Sequence, residues 1–290
     1  MPTIRWKMEP VRDGIRVVRL KAWSQFFDYI REKTLEYPYY IWRGQRDAKW
    51  PLRASLDREI GDLRHTTAGV EVAVRHLYAF RRAARGRRGP FPAKLDDENE
   101  VWALGQHHGL ATPLLDWTES AFVALYFAFA EEATSSTGER AVWALYEGER
   151  HGTEAPEVFS NRHEWPTPSR QEWPSATLPY WPNPKRPEGE NRLREGISFI
   201  RPTQDENARL VSQSGLFTRA PWGETIDGFV RKKYKGTSDH IVLVKLHIPE
   251  AGRDDCLRTL NRMNINHLSL FPDLAGSAQH CNRSLRIYNY

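Results

Sequence analysis

Only two of the 290 residues are cysteine, Cys256 and Cys281, and neither stands in a metal-binding spacing. That leaves no material for a disulfide framework or a zinc ribbon, and a reducing cytoplasm is the expected setting. No uninterrupted apolar run reaches the roughly 18–20 residues that a membrane helix requires. Mean hydropathy is −0.66, and the opening MPTIRWKMEPVRDG lacks the apolar centre of a signal peptide. No membrane association is expected. GxGxxG, Walker A, HExxH, CxxC and GxSxG are all missing, so the familiar dinucleotide, P-loop, zinc-peptidase and hydrolase chemistries have no local signature. The ten histidines are scattered, and only His107 and His108 are adjacent. Neighbours in sequence rarely face one ion together, so no metal site is expected.

What is present fits a globular chain: 40% hydrophobic and 27% charged residues. A net charge of +5 permits an anionic partner without demanding one. Basic residues gather in RRAARGRRG (81–89) and RKKYKG (231–236). These read either as a solvated helix end and a solvated turn, or as nucleic-acid contacts. The first cluster lacks the interleaved aromatics usual in single-strand binding.

Periodicity predicts a mixture of helices and strands. Residues 20–33 carry Trp23, Phe26, Phe27 and Ile30 at helical spacing, and 68–85 is a helix stopped by Gly86 and Gly89-Pro90. Residues 97–109 form a short helix ending at Gly109, with further helices at 253–263 and 272–285. Strands are expected at 37–45, 140–147, 196–202 and 239–250, and a helical turn followed by Gly215 and a short strand at 205–219. Residues 149–193 are rich in Pro and Trp and read as a long irregular insertion. No repeat or composition break divides the chain, so 1–290 reads as one α+β domain with most strands in the second half.

The segment QHHGLATPLLDWTESAFVALYFAF (106–129) concentrates the chemistry. From Ala121 to Phe129 it is apolar on every face, the mark of a buried helix. Thr118 is the expected N-cap, with Glu119 and Ser120 in the first turn. Asp116 then lies at the rim of the core beside a helix N-terminus, a place that suits an anion. A buried carboxylate needs a partner, and Arg43 in WRGQ (42–45) is the natural one. The pair reads as a structural salt bridge or as a guanidinium fork held ready for phosphate or ribose. His107 and His108 read as proton-transfer or hydrogen-bonding groups, or as packing residues.

WRGQ, then WPLRASLDRE (50–59), then the 106–129 block together resemble the FRG domain family, best over residues 35–135. NARLVSQSGLFT (207–218) and LSLFPDL (268–274) resemble later segments of that family. Trp42 stands where Phe is usual, and Pro113 where Arg is common. A second resemblance is to ADP-ribosyltransferases of the Arg–Ser–Glu class. It implies an α+β fold with a split β-sheet core and surrounding helices. Arg43 and Gly44 would form the first element, where the Arg holds the phosphates of NAD. Asp116, Trp117 and Thr118, followed by the helix with Ala121, Ala124 and Phe127, would form the second. For the third, no strand offers Gln-x-Glu or Glu-x-Glu. Gln213 stands nearest, with Glu206 just upstream, and a glutamine cannot act as a carboxylate beside a cationic centre.

This resemblance implies an NAD-consuming enzyme, a transferase or a glycohydrolase. Arg43, Asp116, Thr118 and Gln213 would be the reacting set. Gly44, Gln45, His107, His108, Thr112 and Trp117 would complete the NAD site, with Trp42 and Trp117 flanking the nicotinamide. It also implies a toxin or anti-phage effector, with nucleic acid or protein as acceptor and an antitoxin or regulatory partner. The alternatives are a non-catalytic module binding nucleotide or nucleic acid, and a scaffold in which Arg43–Asp116 is only structural.

Overall fold

A computed structural model describes residues 6–35, 39–88, 97–147, 196–202, 208–238 and 240–288. The insertion at 149–193 and Glu206 lie outside the described residues. Among the described residues, eight strands form one sheet: β1 (Trp6–Met8), β2 (Ile15–Leu20), β3 (Tyr40–Gln45), β4 (Leu115–Thr118), β5 (Glu139–Tyr146), β6 (Ser198–Ile200), β7 (Gly215–Arg219) and β8 (Leu243–Pro249). Their order is β1-β2-β8-β5-β3-β4-β7-β6, so the expectation of strands mainly in the second half is corrected. Only β2 and β8 run parallel; the other neighbours are antiparallel. In place of a split sheet there is a continuous one, whose thinnest seam joins β3 to β4 through the single register pair Trp42↔Thr118.

The helices are α1 (Gln25–Lys33), α2 (Ser55–Glu59), α3 (Thr67–Ala83), α4 (Glu98–His107), α5 (Ala121–Ala130), α6 (Ala208–Ser212), α7 (Ile226–Lys233), α8 (Arg253–Arg262), α9 (His267–Leu270) and α10 (Leu274–Tyr288). The helix expected at 20–33 begins later, because Val17, Val18 and Leu20 alternate as β2 between β1 and β8. RKKYKG is the end of α7 rather than an isolated turn, since Ile226 and Val230, one helical turn apart, are both buried.

Side chains alternate across the sheet. Val142, Ala144, Val244 and Leu246 pack on one face with α1, α5 and α8. Ile41, Trp143, Leu145 and Leu243 pack on the other with Ile226, Val230 and the loop residues Leu52 and Ala54. A third cluster joins α2, α3 and α4 to Phe217 and Ile200 at the β7–β6 end.

The apolar helix α5 is buried as expected, but its entrance differs. Thr118 closes β4 instead of capping the helix. Its Oγ1 donates to the Gln213 carbonyl (2.6 Å) and accepts from Ser120 N–H (3.0 Å). Ser120 is the cap, accepting from Val123 N–H at 3.3 Å. The far end of α5 carries no cation of its own, yet its last carbonyls have no helical donors. Three arginines from elsewhere supply them. Arg140 donates to the Ala128 carbonyl (2.7 Å), Arg253 to those of Phe129 (2.9 Å) and Ala130 (3.2 Å), and Arg283 also to Ala130. They match the negative end of the helix dipole.

α9 docks on α5 through the Tyr126 hydroxyl and His267 Nδ1, 3.1 Å apart, with the imidazole stacked on Phe271. Desolvation first, then Arg283 and His280, hold His267 down at about 4, against the pull of Asp273 and a further push from Arg209. A histidine depressed in the fold contributes stability above its ordinary value of about 6.5, and that contribution is lost as pH falls from about 6.5 toward 4. The urea midpoint of the native chain is therefore expected to drop further between pH 7 and pH 5 than that of His267→Gln. Equal drops would show that His267 protonates freely in the folded state.

Candidate functional site

Along β3, Trp42 faces α5, and Arg43 lies on the opposite face in register with Trp143. Gly44 returns to the α5 face, where a Cβ would stand 2.0 Å from the Ala124 carbonyl and 2.5 Å from Ala128 N. The glycine of the Trp-Arg-Gly motif is thus the contact that seats the helix backbone against the strand. Gln45 is buried with both ends of its amide in use: it donates to the Pro51 carbonyl (3.2 Å) and accepts from Trp143 Nε1 (2.8 Å). It ties the following loop to the sheet.

Arg43 and Asp116 meet across 73 residues of sequence. Arg43 Nη1 donates to the Asp116 carbonyl at 2.6 Å and lies 3.6 Å from Asp116 Oδ2. The partners are placed the reverse of what the sequence suggests. The arginine side chain is 20% exposed and the aspartate side chain 63% exposed, because Leu115 and Trp117 take the inward positions of β4. Desolvation pushes Arg43 down, Asp116 pulls it back up, and Arg58 pushes it down again. A guanidinium stays protonated under such pressure, so Arg43 carries its charge largely desolvated beside the Asp116 carbonyl and carboxylate. Its Nε is buried without a hydrogen-bond partner among the described residues.

Gln106, at the end of α4, holds the exposed carboxylate: Nε2 donates to Asp116 Oδ1 at 2.6 Å, and its Oε1 accepts from Thr112 Oγ1. Thr112 is fully buried and also accepts at Oγ1 from Leu114 N–H (3.2 Å). Its backbone binds the first turn of α2: Thr112 N–H donates to Ser55 Oγ (2.9 Å), and its carbonyl accepts from Leu56 N–H (3.0 Å). A continuous polar path therefore runs Arg43–Asp116–Gln106–Thr112–α2.

The remaining expected residues are placed elsewhere. Trp42 and Trp117 are buried on opposite faces of the sheet, so they do not flank one ligand; Trp117 Nε1 donates to Thr218 Oγ1 at 2.7 Å. The Gln213 side chain turns to the Leu270 carbonyl (3.0 Å), while its own carbonyl serves Thr118. His107 is half-buried, edge-on to the exposed His108. Desolvation, then His108 and Arg209, lower His107, and Asp273 opposes them. Gln106 is absent from the sequence-based set. Gln106 opens the same polar block as the histidines, which was its one available signal.

No curated protein and no solved structure matches the chain. A family model does match, over the residues that carry β3, α2, α3, α4, β4 and α5, and so enclose Arg43, Gln106, Thr112 and Asp116. Residues 38–137, about a third of the chain, match the family model of the FRG domain.

Proposed function

We propose that the Arg43–Asp116 site binds a nucleotide, with NAD as the substrate, and that the chain consumes it by ADP-ribosyl transfer or hydrolysis. The observation that carries this reading is the Arg43 guanidinium, four-fifths buried and with Nε unpartnered among the described residues, beside an exposed carboxylate held by Gln106. The planar fork suits a phosphate and the carboxylate suits ribose hydroxyls. The sequence of an arginine-bearing strand, a second strand and an immediate helix agrees with the ADP-ribosyltransferase resemblance. In the reaction, the bond between nicotinamide nitrogen and ribose breaks and its electron pair leaves with nicotinamide. The cation-like ribose is then attacked by water or by a protein or nucleic-acid acceptor. Asp116 is the carboxylate in place to offset that positive charge. A toxin or anti-phage setting, with an antitoxin as partner, follows from the same resemblance.

A second reading, nucleotide binding without chemistry, is favoured by two features. The Gln213 side chain is committed to Leu270, and β7, GLFTR, carries no carboxylate.

The test is release of nicotinamide from NAD by the purified full chain, followed with Arg43→Ala and Asp116→Asn. The enzyme reading expects release by the native chain and its loss, by about 10- to 100-fold for Arg43→Ala, the worth of one charged hydrogen bond. NAD bound but left intact selects the second reading. NAD neither bound nor cleaved overturns both.

A further inference from the structure

We infer that Gln106 is a positioning residue of the site: its side-chain amide fixes the Asp116 carboxylate ahead of the reaction, and so sets the rate more than the affinity for NAD. This rests on the NAD-consuming reading above and adds to it a residue that acts through Asp116.

The case begins with exposure. The Asp116 side chain is 63% exposed, and a carboxylate so placed turns among staggered rotamers unless something holds it. Water alone would satisfy it. Instead, groups from inside the fold are committed to it. Gln106, half-buried in the last turn of α4, donates from Nε2 to Asp116 Oδ1 at 2.6 Å. Arg43 Nη1 stands 3.6 Å from the other oxygen, Oδ2, and donates to the Asp116 carbonyl at 2.6 Å. The carboxylate is held at one oxygen by a neutral donor and faced at the other by the guanidinium.

The amide can point only one way. Leu114 N–H donates to Thr112 Oγ1 at 3.2 Å, and the hydroxyl hydrogen is left for Gln106 Oε1. With Oε1 in use as an acceptor, Nε2 faces the carboxylate. Thr112 is itself fully buried and tied through its backbone to Ser55 and Leu56 of α2. A directed run of donors, from Leu114 N–H through Thr112 and Gln106, therefore starts in the core and ends on a carboxylate at the surface. Bonds in such a run polarise one another. Glutamine supplies both an acceptor for the hydroxyl and a donor for the carboxylate. Glutamate would set oxygen against oxygen, and methionine, of similar length, offers no donor.

Orientation in advance acts on the rate. A carboxylate already aimed needs no reordering when the ribose becomes cation-like, whereas a mobile one must be ordered at that moment. The phosphates of NAD reach Arg43 whatever the Asp116 rotamer, which leaves affinity nearly unchanged.

Nicotinamide release from NAD by the full chain, resolved into kcat and KM between about pH 5 and pH 8, tests this in the native protein, Gln106→Met and Gln106→Glu, each checked by its melting curve. Gln106→Met is expected to lower kcat by about 10- to 100-fold, the worth of one hydrogen bond to a charged group, with KM within about 3-fold. Gln106→Glu is expected to match that loss at pH 8. Relative to the native chain it should regain part of it toward pH 5, where two carboxyls in contact share a proton and the protonated one donates. The histidines that follow Gln106 are common to all three proteins, so the ratio to the native rate isolates the new carboxyl. The isosteric Gln106→Glu decides the matter where Gln106→Met melts early. Native kcat in the variants, a rise in KM alone, or a loss in Gln106→Glu that is the same at every pH overturns the assignment and leaves the NAD-consuming reading standing. A native chain that releases no nicotinamide overturns that reading, and the assignment with it.

Discussion

Arg140→Leu is expected to lower the unfolding free energy by about 3–5 kcal/mol, the cost of breaking a buried ion pair from one side. Arg140 is 0% exposed. Its Nη1 serves the carbonyls of Ala128 (2.7 Å) and Glu131 (3.0 Å), Nη2 that of Ala133 (3.2 Å), and Nε the Glu250 carboxylate (3.1 Å). Its guanidinium also lies over the Phe129 ring. Leucine fills similar volume but takes the donor from the Ala128 and Ala133 carbonyls and the cation from Glu250, while the Glu131 carbonyl keeps Arg253 Nε at 3.3 Å. The double variant Arg140→Leu/Glu250→Gln is expected to regain part of the loss, because it removes the stranded charge. Urea unfolding of the three proteins reads both effects. A single-variant loss under about 1 kcal/mol would mean that α5 does not depend on borrowed cations.

Gly44→Ala is expected to be nearly as damaging, at about 3 kcal/mol, the upper end for overpacking. The new methyl group would meet the α5 backbone at 2.0 Å and 2.5 Å, and backbone cannot rotate aside. A fall in melting temperature of about 6–12 °C follows for a chain of this size. Gly105→Ala is the control: its methyl would meet mainly the Leu110 side chain, at 2.6 Å, which can move. It should cost clearly less. If Gly44→Ala melted within about 2 °C of the native chain, α5 would not sit against β3 as described.

These two positions show what the sequence revealed and what it concealed. The long periodic elements were legible: α3, α4, α8, β5 and β8 lie close to where alternation and helical spacing put them. So was the meeting of Arg43 with Asp116, because a charged residue ending an aromatic strand and another opening an apolar helix both need partners. Which of the two is buried was not legible, since that depends on which face of β4 turns inward. Thr118 was misplaced because a threonine ending a strand and a threonine capping a helix look alike without the neighbouring strand. Arg140 read as an ordinary strand residue, for its partners come from the end of α5 and from Glu250, 110 residues away. Gln106 drew no role of its own from the sequence, because its partners Thr112 and Asp116 are fixed by tertiary contacts that close α2 and α4 on Thr112. Local pattern sets the elements; the polar path among them is set by tertiary contacts that no window of sequence contains.

We propose that the largely buried Arg43 guanidinium beside Asp116 binds a nucleotide. This is tested most directly by titrating NAD calorimetrically into the native chain and into Arg43→Ala, each shown to be folded by its melting curve. Saturable binding to one site in the native chain, weakened by about 10- to 100-fold in the variant, is the expected result. Equal affinity in the two proteins, or no saturable heat in the native chain, would contradict it.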